Sequence, residues 1–223
     1  VIMGFGKIVA KGKIEVSDKD GKNQTVEAKH IIIATGARSR ELPTMKIDGK
    51  KIIGYREAMV LPEIPKSMVI VGSGAIGVEF AYFYNSMGTK VTIVEFLPRI
   101  VPVEDEDISK ELEKSYKKNG ITIMTSSEVT AVDTSGNGVK ASVKSATGET
   151  VLEADVLLSA VGVTANIEGI GLETLGIKID KGRVMVDKYG QTNVPGIYSI
   201  GDCSPGQALA HVASKEGIVC VEA

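Results

Sequence analysis

The chain has 223 residues, of which 43% are hydrophobic and 24% charged, with a net charge of −2 and no tryptophan. That length holds one large domain or two small ones with a real core, and the near-neutral charge gives no reason to expect nucleic acid or an anionic membrane as partner. No apolar stretch approaches the ~18 residues of a membrane span and no signal peptide precedes the first strand pattern, so neither a membrane nor nucleic acid is expected as a partner.

In chain order, residues 1–34 read as short strands at Gly6–Ala10, Lys13–Val16 and Gln24–Ala28, with a hairpin turn at Asp20-Gly21. The run His30–Ala34 has the continuous apolar character of a strand buried on both faces and stops at Thr35-Gly36. Residues 37–66, punctuated by Pro43, Pro62 and Pro65, read as irregular and as a domain boundary. Next come a strand at Met68–Val71, a helix over Ala75–Met87, a strand at Lys90–Val94, an amphipathic helix over Asp105–Lys118 and a strand at Ile121–Met124. Three strands with turns at Gly136-Asn137-Gly138 and Thr147-Gly148 form a meander, and Ala154–Ala160 is a second apolar strand ending at Val161-Gly162. Alternating strands and helices with short turns predict an α/β fold with a parallel sheet. The last part has strands at Arg183–Val186 and Gly196–Ile200 and a helix from about Ala208. The two cysteines, Cys203 and Cys220, lack a C-x-x-C spacing. They read as free thiols of a cytoplasmic protein, with no metal site. The chain opens on Val1-Ile2 without a methionine, and it is expected to be a fragment beginning inside a domain.

Gly72-Ser73-Gly74-Ala75-Ile76-Gly77 is a G-x-G-x-x-G pattern between a strand and a helix. In that context Gly72 makes the tight turn, Gly74 lets a pyrophosphate approach the backbone, and Gly77 lets the helix pack on the strand. The amides at the helix start would face the phosphates. The second strand ends at Glu95, 18 positions after Gly77, near the ~20 expected for an acidic residue that bonds the adenine ribose. A carboxylate there accepts from the 2′- and 3′-hydroxyls and repels a 2′-phosphate, so NAD is expected over NADP. The alternative is a glycine-rich turn beside a surface Glu. Glu79 reads equally as an acid stabilised in the first helical turn or as a ligand contact.

Two further strands end in small-residue turns, at Thr35-Gly36-Ala37 and at Ile200-Gly201-Asp202. Asp202 sits where open α/β sheets bind ligands and could accept from a hydroxyl chain, or it could cap a turn. Ala208-Leu209-Ala210-His211 begins a helix whose amides could face an electron-rich ring edge. A lone histidine there also suits a purely structural place.

The segments Ile31–Ala37, Val69–Ala81, Val91–Glu95 and Tyr198–Asp202 together resemble the two-dinucleotide flavoprotein disulfide reductases. Gly88–Thr92, Leu97–Ile100, Leu209–His211 and Glu216-Gly217 look like the member that oxidises dihydrolipoamide. The resemblance implies a Rossmann-like NAD-binding domain, a parallel sheet plus three-stranded meander, at 44–162. It would be inserted in a partial FAD-binding domain of the same type at 1–43 and 163–223. Gly72, Ser73, Gly74, Ala75, Ile76, Gly77, Val78, Glu79 and Glu95 would contact NAD, with Glu79 near the nicotinamide amide, Val129 beside the adenine and Gly162 on the nicotinamide side. Gly4, Thr35, Gly36 and Ala37 would touch FAD, Asp202 would hold the ribityl chain, and Ala208, Leu209, Ala210 and His211 would meet the flavin's pyrimidine edge.

The implied parent is an oxidoreductase and a homodimer, passing electrons from a dithiol such as dihydrolipoamide through a redox disulfide and FAD to NAD, and serving lipoyl-bearing 2-oxo acid dehydrogenase complexes. The family's first FAD-binding glycine motif and redox cysteine pair would precede residue 1, and its interface domain with the acid/base histidine would follow residue 223. Val163 stands where the family often has a basic residue. The chain is therefore expected to be inactive alone, without catalytic residues, monomeric, and colourless on purification. The other readings are a glutathione- or mercury-type reductase, which usually takes NADPH and wants basic residues at the place of Glu95, an NADH oxidase, and a non-catalytic nucleotide-binding module.

Overall fold

A computed structural model describes residues 1–222. The fold is mixed α/β, and the chain forms two compact units: Val1–Arg38 with the chain from Thr164 onward, and Ser39–Val163.

The unit Ser39–Val163 is built on a five-stranded sheet in the order Ile52–Ile53, Val156–Ser159, Ser67–Val71, Lys90–Val94, Thr122–Met124, all parallel. The central strands read as unbroken apolar runs because both faces are covered, and alternate residues part to opposite sides. Met68, Ile70, Val91, Ile93 and Leu158 join a cluster with Val78, Ala81 and Tyr84 of the helix Ala75–Ser86 and Tyr116 of the helix Glu106–Lys118. Val69, Val71, Val94 and Leu157 join a second cluster with Val129, Val139, Ala141 and Val143. These last four belong to the antiparallel meander Glu128–Asp133, Val139–Ser145, Gly148–Ala154. Each such fully buried aliphatic side chain contributes about 1.5–3 kcal/mol of transfer free energy. The helix Glu106–Lys118 starts at Asp105, whose carboxylate accepts from the Asp107 amide (2.9 Å), and carries Lys117 and Lys118 at its negative end.

In the other unit, Phe5–Ala10, Lys13–Ser17 and Asn23–Glu27 form an antiparallel sheet. Ile31–Ile33 pairs in parallel with Ile197–Ser199, so both strands end on the same side. Ile8, Ile31, Ile33, Ile167, Leu172, Val184 and Ile197 form its core, and the helix Ala210–Glu222 follows.

The structure departs from the sequence expectations in five places. The strand Ile31–Ile33 buries Ile31 and Ile33 but leaves Ile32 exposed, so it is not buried on both faces. Residues 37–66 are not irregular throughout. Ala37–Ser39 and Ile52–Ile53 are strands, and Tyr55–Ala58 is a one-turn helix closed by the Gly54 amide donating to Glu57 Oε2 (2.9 Å). The expected strand Ala154–Ala160 breaks at Asp155, whose carboxylate accepts from the Ser67 amide (2.9 Å), and the sheet strand is Val156–Ser159. Only Arg183–Val184 of the segment 183–186 is paired. The last helix begins at Ala210 rather than Ala208.

Candidate functional site

In a sheet of parallel strands, ligands bind outside the carboxyl ends where the strand order reverses. From the strand Ser67–Val71 the chain adds Lys90–Val94 and Thr122–Met124 on one side, then returns to Val156–Ser159 on the other. The carboxyl ends of these strands bring together Gly72, Glu95 and the turn at Gly162.

The three glycines of the first turn do different work. Gly72 has φ +97°, and a Cβ there would overlap the Ala160 carbonyl oxygen. A Cβ at Gly77 would overlap the carbonyl oxygen of Gly72, so the helix can rest on the turn only because residue 77 is glycine. At Gly74, the N-cap, a Cβ would meet nothing within 4 Å. The first intrahelical bond runs from the Val78 amide to the Gly74 carbonyl, which leaves the amides of Ala75, Ile76 and Gly77 as donors at the positive end of a 12-residue helix. The side chain of Ile76 is half-buried and that of Val78 is in the core.

Glu95 is nearly buried, and no cation pairs with it among the described residues. Its Oε2 accepts from the Ser73 amide (2.8 Å) and from Ser73 Oγ (2.6 Å), and its Oε1 accepts from the Leu97 amide (2.8 Å). The sequence reading missed this pairing. Its only trace there is a hydroxyl residue between the first two glycines. Glu79 is the fifth residue of its helix and exposed, beyond the first turn, so the dipole does not account for it. Val129 is buried in the meander core, its side chain turned inward. Gly162 is exposed with φ +103°, and its carbonyl accepts from the Arg40 amide (3.0 Å).

In the other unit, the turns after Ile31–Ile33 and Ile197–Ser199 lie at the same end of their parallel pair. Asn166 fixes the first: its side-chain amide donates to the Thr35 carbonyl (3.0 Å), and its backbone amide donates to that of Gly36 (2.9 Å). Thr35 is exposed, Gly36 has φ +66° with open space where a Cβ would be, and Ala37 is buried. Asp202 lies in a 3₁₀ turn that has no side-chain cap bond. Its carbonyl accepts from Arg183 (2.9 Å) and its carboxylate is half-exposed, so the capping alternative finds no support. Ala208, Leu209, Ala210 and His211 are exposed at the start of the last helix, and His211 lines a cavity of about 680 Å³ with Tyr189, Lys215 and Glu216. Gly4 has φ +156° and precedes the hairpin sheet; a Cβ there would collide with the main chain of Ser17.

A profile of the pyridine nucleotide-disulphide oxidoreductases matches residues 2–217. The chain is 52% identical to a dihydrolipoyl dehydrogenase of Rhizobium etli, over all of this chain and 49% of that protein. It is 43% identical to a leghemoglobin reductase of Glycine max, over 99% of this chain and 43% of that one. The crystal structure of LpdA from Mycobacterium tuberculosis superposes with a TM-score of 0.88 at 32% identity, covering 98% of this chain and 49% of that one. The chain thus spans about half the length of the curated relatives it matches. No described helix is long and apolar enough to cross a membrane. With the profile spanning nearly the whole chain and the fold shared along its length, this chain belongs to the pyridine nucleotide-disulphide oxidoreductase family.

Proposed function

We propose that the unit Ser39–Val163 binds NAD(H), as the NAD-binding part of a dihydrolipoyl dehydrogenase. The observation that carries this reading is the glycine turn. Gly72 and Gly77 are required by the fold, whereas Gly74 is required by nothing inside it and leaves the backbone bare beside three unpaired helix amides. That cradle fits a pyrophosphate. Glu95 would accept from the ribose, Gly162 would border the nicotinamide, Val129 would flank the adenine through its main chain, and Glu79 would stand near the carboxamide.

The residues of the other unit fit part of a flavin site. Gly36 offers unfilled space, Asp202 offers a carboxylate without a partner in its turn, and residues 208–211 offer the exposed start of a helix. Gly4, Thr35, Gly36 and Ala37 would border FAD, Asp202 would accept from its ribityl hydroxyls, and Ala208, Leu209, Ala210 and His211 would orient the pyrimidine edge. When bound, the flavin links dithiol chemistry at sulfur to hydride transfer at the nicotinamide. The whole protein would oxidise dihydrolipoamide to lipoamide through a redox disulfide, work as a homodimer and serve lipoyl-bearing 2-oxo acid dehydrogenase complexes. The domains run 1–43 and 163–223 for FAD and 44–162 for NAD in this reading. The two unpaired cysteines suit a reducing cytoplasm.

Calorimetric titration of the chain with NADH and with NADPH tests the reading. NADH is expected to bind more tightly, and Glu95→Ala is expected to erase the preference, a loss of about 1.5–3 kcal/mol for a hydrogen bond to a charged acceptor. Equal affinities in the unaltered chain, or tighter NADPH, would overturn it.

A further inference from the structure

We propose that Ser73 sets the coenzyme preference by locking the Glu95 carboxylate, so that it cannot withdraw from a 2′-phosphate; this rests on the reading of the turn as an NAD site. A carboxylate repels a phosphate only while it stays where the phosphate must go. A glutamate held by nothing rotates about its side-chain bonds, faces solvent and concedes the space. Glu95 is held. Both donors of Ser73 converge on Oε2, at 2.8 Å from the amide and 2.6 Å from the hydroxyl, and the Leu97 amide holds Oε1 at 2.8 Å. Ser73 is itself held: it is fully buried, and its carbonyl accepts from the Val101 amide (2.9 Å). Val101 sits at φ +39°, a left-handed conformation costly to a β-branched residue. The main chain of Glu95 is tied on both sides, its amide to the Met124 carbonyl (2.8 Å) and its carbonyl to the Ser127 amide (2.9 Å).

An ionised carboxylate has about four acceptor positions. Three are filled before any ligand arrives, and the fourth lies on Oε1. That position takes a donor. A ribose hydroxyl is one, whereas a phosphate oxygen brings charge of the same sign and no proton. Arg99, a cation of the following segment, is engaged with the carbonyls of Pro102 (3.0 Å) and Glu104 (3.4 Å). To admit a 2′-phosphate, Glu95 would have to break its bonds to Ser73. Ser73 is thus a positioning residue that acts through Glu95.

The test is a double-mutant cycle by calorimetric titration of the chain with NADH and NADPH, using the unaltered protein, Ser73→Ala, Glu95→Ala and the double variant. Ser73→Ala is expected to lower the NADH-to-NADPH affinity ratio by roughly tenfold, the equivalent of one hydrogen bond to a charged group. The change should come from tighter NADPH. In the Glu95→Ala background the same substitution is expected to leave the ratio alone. A ratio unchanged by Ser73→Ala would overturn the proposal, as would equal changes in both backgrounds, which would mean that the hydroxyl meets the ligand directly. A merely structural serine would lower the melting temperature and weaken both coenzymes together. If the unaltered chain prefers NADH and Ser73→Ala keeps that preference, the lock alone fails; if it binds neither coenzyme, the site reading fails and the lock with it. Ser73→Gly, which drops the hydroxyl and keeps the amide, repeats the comparison should the alanine variant not fold.

Discussion

At the scale of single residues, the three glycines of the turn separate by what a methyl group would meet. A Cβ at Gly77 runs into the main-chain carbonyl of Gly72, which cannot step aside cheaply. Gly77→Ala is therefore expected to destabilise the protein by about 1–3 kcal/mol, the usual cost of forcing extra volume into a packed site. Gly74 has φ −69°, which any residue adopts, and faces open space. Gly74→Ala should change stability by less than about 1 kcal/mol and still weaken NADH binding. Thermal melts and titrations of the two variants check this. Equal destabilisation by both would remove the argument that Gly74 is kept for a ligand. The spacing of these glycines and the acid at the end of the next strand were readable in the sequence, because each answers to a local backbone demand. The bonds from Ser73 to Glu95 were not, because they join residues 22 positions apart through the approach of two strand ends. The helix start at Ala75 was already legible in the sequence and the structure keeps it, which puts Glu79 at the fifth helical position, past the first turn.

At the scale of elements, long patterned segments are legible and short ones are not. The parallel core strands and the helices Ala75–Ser86 and Glu106–Lys118 carry enough residues for their periodicity to show, and they lie within a residue or two of expectation. Ile52–Ile53 has two residues and Tyr55–Ala58 four, too few for a period of 2 or 3.6 to register. They exist because a sheet edge and a buried Ala58 receive them. A similar tertiary contact fastens Ala37–Ser39. Arg38 grips Glu168 through two bonds, of 2.8 and 3.0 Å, and reaches Asn166 Oδ1 at 3.0 Å. Its hydrogen bonds, then those of the backbone, hold the Glu168 carboxyl at about 2, well below its ordinary 4.5. A carboxylate whose pKa falls on folding stabilises the protein above its unfolded pKa and loses that contribution as pH drops through the folded one. The window is thus from pH 4.5 down to about 2. Both side chains are half-exposed, so solvent screening keeps the gain below about 1 kcal/mol. Melts of the protein and of Glu168→Gln should differ at neutral pH and converge toward pH 2. A difference that persists undiminished at the acid end would assign the effect to packing instead of charge.

At the scale of the whole molecule, the question is whether this chain can turn over a dithiol by itself. Dithiol oxidation through a redox disulfide needs a thiolate that solvent and substrate can reach. Cys203 is fully buried, its thiol directed at the Ile200 carbonyl (3.2 Å) and beside Ser199 Oγ (3.4 Å). Cys220 lies on the last helix, also buried, and burial followed by the nearby Asp187 pushes its thiol up, away from the thiolate. The two are unpaired. In the native state a chromogenic thiol reagent should therefore react slowly with both, and with two equivalents at once only after denaturation. The chain should form no NADH from dihydrolipoamide and NAD+, even with added FAD, and Cys203→Ser should not alter that result. Fast labelling of either thiol in the folded protein would contradict the burial argument. Dihydrolipoamide-dependent NADH formation that vanishes in Cys203→Ser would go further: it would mean that a thiol enclosed in the core opens to substrate and carries dithiol chemistry within these 223 residues.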